Sequence, residues 1–384
     1  MSAVLGLLGG WIALGLALDL GAYALQRRYL AQAVADAKAR ADGCQRAWQR
    51  LVERVGDAVL AVLAVVLVGA GGLAAGTPSA WQAVSYLALM IILDQTLRAL
   101  LSVATRAPAG MRAAFIAQFK RVAQPLALGL VLWGVYGAVP SGWGAEFWPL
   151  AWAGSWLVLA GAWRVYRGRS KARPLLGRPL GDGPLQARLH ALARTCGRPQ
   201  CAITVADEPP LATQVGARVE AAGRGGQIVL TQALVARLTP SAVVAVVAHE
   251  FGHACLGHLW RFDVMRALLV ALYIFGLATA VLAIDPQVFA PALLWLIYVT
   301  LAPVAWVVRP ALNGYRRGCE FAADAFAARH VGPSLLADTL ADLFSVNPHR
   351  AGLHPWYCRL NATHPPDQAR LERLRMPPES DCSF

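Results

Sequence analysis

Apolar residues along this chain gather into long, nearly continuous runs instead of recurring at the period of an amphipathic helix or strand. Seven such runs lie near 3–25, 57–76, 80–102, 123–140, 147–166, 265–284 and 288–308. Crossing a ~30 Å hydrocarbon core takes about 20 helical residues, so each run reads as a membrane span. The first run has no basic segment before it and no clear small-residue cleavage site after it. It therefore reads as an anchor rather than a signal peptide.

The polar connections set the orientation. Run one is followed by Arg27, Arg28, Lys38, Arg40, Arg46, Arg50 and Arg54. Arg106, Arg112, Lys120 and Arg121 follow run three, and Arg167, Arg169, Lys171, Arg173 and Arg178 follow run five. Arg309, Arg316 and Arg317 follow run seven, whereas the gaps after runs two, four and six hold no Lys or Arg. Basic loops stay on the cytoplasmic side, which puts the N-terminus outside and the C-terminus in the cytoplasm. In a bacterium this would be the inner membrane. Cys44, Cys196, Cys201, Cys255, Cys319, Cys358 and Cys382 all fall in cytoplasmic segments, where no disulfide framework is needed. Cys196 and Cys201 lack a second pair and make a poor zinc knuckle. Asp94 lies deepest in a span, and Arg98 one turn later offers it an i,i+4 partner.

Composition agrees with this picture. Only 15% of the 384 residues are charged and 57% are hydrophobic, against about 25% charged in a soluble domain. The net charge of +13 is spread over the loops and comes with no groove-reading motif, which argues against a nucleic-acid partner.

Between runs five and six lies a mixed-polarity insert. Leu185 to Cys196 predicts a short helix. Residues 201–206 and 227–230 predict strands, the second after the turn Gly223-Arg-Gly-Gly226. Leu211 to Glu220 predicts a further extended segment, and an edge strand there could bind substrate backbone. Thr239-Pro240 opens a helix expected to run through His249-Glu-Phe-Gly-His253 to Trp260.

On that helix His249 and His253 share one face and can grip one metal ion. Glu250 points to the side, where it can take a proton from a water that the metal activates. A catalytic zinc needs a third protein ligand. Position 259 is leucine, and His258 is one residue early and reads as a neighbour. Glu320 and Asp324, one helical turn apart, are better placed. Glu320 can complete a His₂Glu site, and Asp324 can hold a ligating imidazole from behind. Phe and Ala flank both carboxylates, which speaks against a solvated acidic face, and Arg329 is the nearby cation on that face. The two predicted spans between His253 and Glu320 form a hairpin that returns both halves of the site to the same membrane side.

These residues resemble the integral-membrane gluzincins, namely the CAAX prenyl protease type 1 family and, more distantly, the HtpX-type membrane proteases. The stretch from His249 to His258 is similar to the former's His-Glu-x-Gly-His-x-x-x-Gly-His motif. Asn313 to Ala327 looks like its Asn…Arg-x-x-Glu-x-x-x-Asp-x-Phe-Ala stretch, and His364-Pro365-Pro366 with Arg370 looks like its His-Pro-Pro motif. The resemblance implies one Zn2+ per chain on His249, His253 and Glu320, with Glu250 as base. It also implies supporting roles for Asp324, Asn313 and Arg317, His364 as a donor to the oxyanion, and helices around an intramembrane chamber. Two features depart from the pattern. The serine usual before the motif arginine is Arg316, and the Asn-Ala stretch common before the zinc helix is not recognisable in Leu211 to Arg218.

The expected fold is therefore mainly α: about seven transmembrane helices and a small α+β zincin-like cytoplasmic catalytic domain. Its parts are five helices over 1–167, an insert over 168–264, helices six and seven over 265–309, and a C-terminal segment over 310–384. The expected function is zinc-dependent endoproteolysis of membrane-associated proteins or peptides. An intramembrane site-2-type protease would need an Asp-Gly motif within a span, yet Asp42-Gly43 and Asp182-Gly183 lie in basic loops. A metal-binding receptor or scaffold would call for a sizeable external domain, and a transporter for charges within the spans. Every external loop is short, and charges within the spans are nearly absent.

Overall fold

The computed structural model describes residues 2–33, 43–52, 54–56, 147–169, 177–206, 215–220, 226–284, 290–346 and 354–376. The predicted spans at 57–76, 80–102 and 123–140, with Asp94 and Arg98, lie outside the described residues, as do 211–214 and Cys382. The chain divides into two compact units. One comprises Met1–Arg28, Gly43–Ala160 and Met265–Pro310; the other comprises Tyr29–Asp42, Gly161–Val264 and Ala311–Phe384.

The first unit is helical where described. It takes in most of α1 (Ser2–Ala33) and much of α2 (Trp148–Arg169). Trp156 Nε1 donates to the carbonyl of Ala267 at 3.0 Å. Asp19 forms a buried ion pair with Arg54, as charges in an apolar setting must. Gly15 faces the ring of Trp306, where a Cβ would come within 2.7 Å.

The second unit holds a four-stranded sheet of order β1-β2-β4-β3. Its strands are β1 (Arg178–Pro179), β2 (Ala202–Ala206), β3 (Ala217–Glu220) and β4 (Gln227–Thr231). The central strands β2 and β4 are parallel, with Ala202 opposite Gln227. The outer strands run antiparallel to them, Arg178 opposite Val205 and Ala217 opposite Leu230. Strands buried on both faces read as unbroken apolar runs, and Ile228-Val-Leu230 is fully buried. The helix predicted over 185–196 and the strands predicted over 201–206 and 227–230 are present within one residue at each end, with α3 at Pro184–Thr195, whereas of the extended segment expected over 211–220 only Ala217–Glu220 forms a strand among the described residues.

One core joins this sheet to its helices. Leu189, Leu192 and Ala193 of α3 meet Ile203, Ile228 and Leu230 of the sheet and Val243 to Ala248 of α5 (Pro240–Cys255). Leu336 and Leu340 of α8 (Pro333–Val346) complete it. Thr231 caps the short α4 (Gln232–Arg237) by accepting from Leu234 N at 3.2 Å. The same hydroxyl accepts from Gly216 N at 3.1 Å and so ties the start of β3 to the end of β4.

The α5 helix begins as predicted, with Thr239 Oγ1 accepting from Ala242 N at 3.3 Å and Pro240 in the first turn. It does not reach Trp260. It ends at Cys255, because Gly257 turns left-handed at φ 66° and a new helix starts at His258. That helix, α6 (His258–Ile284), contains a stretch long and apolar enough to cross a membrane. His258–Ala283 includes an 18-residue window of mean hydropathy 2.1, of which 17% is buried. Among the described residues it is the one helix that meets this test. Helix α7 is continuous over Ala290–Val331, so the predicted seventh run and the predicted carboxylate helix form one element.

Candidate metal centre

The chain brings His249 and His253 of α5 and Glu320 of α7 to one point. One nitrogen or oxygen from each lies within 4.8 Å of the others, a group that could hold a metal ion. His249 Nε2 is 3.2 Å from His253 Nε2, 3.6 Å from Glu320 Oε2, and His253 Nε2 is 3.5 Å from Glu320 Oε1. Ligands held tetrahedrally at about 2.0–2.1 Å stand roughly 3.3 Å apart, so the triangle fits an ion of that kind. The helices approach this closely because Gly252 faces α7. A Cβ there would meet Ala323 Cα at 3.0 Å and Ala323 O at 3.1 Å.

Each candidate ligand has a partner beside it. Asp324 Oδ1 lies 2.9 Å from His249 Nδ1, which leaves Nε2 turned toward the other ligands. Asp324 is gripped in turn by Arg370 of α10 (Asp367–Arg375), with Nε donating to Oδ2 at 2.8 Å and Nη2 to Oδ1 at 2.6 Å. Arg329 plays no such part; the cation comes from 46 residues away. His258 Nδ1 is 3.0 Å from His253 Nδ1, a hydrogen-bonding distance that fixes the second imidazole. His258 thus stands behind His253, outside the triangle of candidate ligands.

Asn313 and Arg317 hold the chain that carries His364. Arg317 Nη1 donates to the carbonyls of Cys358 at 3.1 Å and Ala362 at 2.7 Å, and Asn313 Nδ2 donates to Leu360 O at 3.0 Å. These carbonyls close the short α9 (Pro355–Asn361), whose C-terminal end attracts a cation. His364 Nδ1 lies 2.9 Å from Glu320 Oε1. Glu250 shares a cavity of about 640 Å³ with all three candidate ligands, His364 and the start of β3.

Burial opposes a charge on His249, but hydrogen bonds to Asp324 and Glu320 outweigh it and lift the imidazole to about 9. At His253 burial prevails, aided by the neighbouring His249 charge, and lowers it to about 4. Burial would raise Glu320, yet its contacts with His249 and His364 hold it well below the usual carboxylate range. Asp324 is likewise held down against burial by Arg370 and His249. Both carboxylates are therefore ionised, the form in which a carboxylate ligates.

Residues 179–377 match Peptidase family M48, more than half of the chain. The chain belongs to this family. Two curated relatives are similar to this M48 member. The CAAX prenyl protease 1 homolog of Arabidopsis thaliana is 30% identical over 209 residues, covering 51% of this chain and 48% of the relative. The CAAX prenyl protease 1 homolog of Oryza sativa subsp. japonica is 29% identical over 208 residues, with the same coverage. The match thus spans about half the length of these relatives. Among solved structures, the crystal structure of S. mikatae Ste24p aligns over 96% of this chain and 98% of its own, with a TM-score of 0.72 and 16% identity. That likeness is one of fold.

Proposed function

We propose that this M48 member is a membrane-embedded, zinc-dependent endopeptidase. The observation that carries the reading is the meeting of the His249, His253 and Glu320 triangle with Glu250 in one cavity. Zinc held there would supply a Lewis acid that acidifies a water molecule and polarises the scissile carbonyl. Glu250 accepts the proton of the attacking water and delivers it to the leaving amine. His364 donates to the oxygen on which negative charge develops. To ligate, His249 must give up its Nε2 proton, and Asp324, held by Arg370, then keeps the remaining proton on Nδ1; His258 stands behind His253 in the same way. Strand β3 is an edge strand whose first residues line the cavity, and substrate backbone can add to it as a further strand.

A membrane setting is supported by the alternation of basic and non-basic loops and by the exposed stripe Trp260, Val264, Leu268 and Leu272 on α6. The fold likeness to S. mikatae Ste24p over nearly the whole chain adds to it. On this reading seven helices cross the bilayer, the N-terminus is outside, and the metal centre faces the cytoplasm. The motif helix α5 is packed in the same core as the sheet, which favours this arrangement over a site-2-type enzyme with its motif in a span. Substrates are membrane-associated proteins or peptides, prenylated ones among them, as the names of the plant relatives suggest.

The deciding experiment compares zinc content and cleavage of a membrane-anchored substrate in wild type, Glu250→Gln and Glu320→Ala. Glu250→Gln should keep zinc and lose cleavage, and Glu320→Ala should lose both. Full activity in Glu250→Gln would end the reading.

A further inference from the structure

Arg316 lines the cavity one helical turn before Glu320. Its guanidinium lies over the ring of Phe262, 4.1 Å from the centroid. Phe262 belongs to α6 and also lines the cavity, so the stack holds a cation at the wall without neutralising it. Among the described residues no carboxylate pairs with Arg316. Of the other two arginines lining the cavity, Arg370 is spent on Asp324, and Arg218 belongs to the edge strand β3 instead of the helix that carries Glu320. The two carboxylates in the cavity wall, Glu250 and Glu320, belong to the chemistry already described.

We propose that Arg316, seated on Phe262, is a specificity-determining residue that binds a carboxylate on the substrate close to the scissile bond. The inference rests on the peptidase reading and names its substrate class. A helical turn is about 5.4 Å, and an extended chain advances about 3.3 Å per residue. The bound carboxylate therefore falls within about two residues of the bond that is cut. It can be an Asp or Glu side chain or the C-terminal carboxylate of a short tail, and guanidinium suits either because its planar fork matches a carboxylate.

The test uses the protein in detergent and one peptide core in three forms: Glu near the cleavage point with an amidated C-terminus, Gln in its place with an amidated C-terminus, and the Gln form with a free C-terminus. Wild type should cleave a carboxylate form roughly tenfold or more better in kcat/KM, the effect of one charge-assisted contact. The Glu-against-Gln and acid-against-amide pairs identify which carboxylate is read. Arg316→Gln should erase the preference, lowering kcat/KM on the carboxylate form about tenfold and far less on the neutral peptide, and Arg316→Glu should turn the preference toward a Lys-bearing peptide. Phe262→Leu should weaken the preference. Anisotropy binding of the same peptides to Glu250→Gln protein reads the preference without cleavage. If no peptide is cut, the peptidase reading fails, and the binding preference still decides the role of Arg316. An equal loss on charged and neutral peptides in Arg316→Gln would overturn the proposal. So would a defect confined to vesicles containing anionic lipid, which would make Arg316 a headgroup contact.

Discussion

Arg370 clamps Asp324 through two parallel hydrogen bonds of 2.8 and 2.6 Å, and the same Asp324 oxygen lies 2.9 Å from His249. The guanidinium is 3% exposed. Removing one partner of such a pair leaves a buried charge and costs about 3–5 kcal/mol, so Arg370→Met should lower the unfolding midpoint sharply. Arg370→Lys keeps the charge but not the fork. It should weaken zinc binding about 10- to 100-fold, measured by competition with a chromogenic chelator. Replacing both partners, Asp324→Leu with Arg370→Met, should restore stability in part but not zinc affinity. Equal stability of the single and double variants would contradict this account.

Gly252 gives a second expectation. Alanine is intrinsically better in a helix by about 1 kcal/mol, but overpacking costs about 1–3 kcal/mol. The contacts a Cβ would make are with Ala323 Cα and its carbonyl, at 3.0 and 3.1 Å, and neither is the end of a flexible side chain. Gly252→Ala should therefore destabilise despite its propensity, visible in thermal melts of the purified protein. Adding Ala323→Gly should not rescue it, since it removes only the Cβ contact at 3.2 Å.

Arg317 lies outside the ligand triangle, yet it holds the carbonyls before His364. Arg317→Met should leave zinc content unchanged and lower kcat, by up to about 100-fold if His364 shifts by an ångström. A parallel loss of zinc would show that Arg317 acts on the ligands instead.

The orientation can be tested with thiols. Cys255 is exposed at the end of α5. Burial, and then its neighbour Cys255, push Cys196 up to about 12. The thiolate is the reactive form, so at neutral pH maleimide should modify Cys255 well before Cys196. In intact cells an impermeant maleimide should miss Cys255 until the membrane is opened. Labelling from outside would reverse the orientation.

Much of the site is legible in the sequence because its signals are local. Thr239-Pro240 announces a helix start, and His249 with His253, and Glu320 with Asp324, are each one turn apart on a helix. The strands around Ile203 and Ile228 show as short β-branched runs. What escapes is set by distant partners or by single backbone angles. Arg370 answers Asp324 from another helix, where sequence spacing points to Arg329. The break after Cys255 depends on one left-handed glycine, and nothing in the apolar run beyond it gives the turn away. Asn313 and Arg317 act on main-chain carbonyls, which every residue possesses, so no pattern of side chains marks their targets.

The narrow gap at Gly252 bears on which ions the centre accepts. A Cβ at this position would meet backbone atoms of Ala323 at 3.0 and 3.1 Å, so glycine is what lets α5 and α7 bring their donors this near. Ions that need six to eight oxygens at about 2.3–2.6 Å, such as calcium, are unsuited in both number and reach. The glycine thus sets the spacing of the candidate donors from a distance, through the approach of two helices rather than through any atom of its own that would touch an ion.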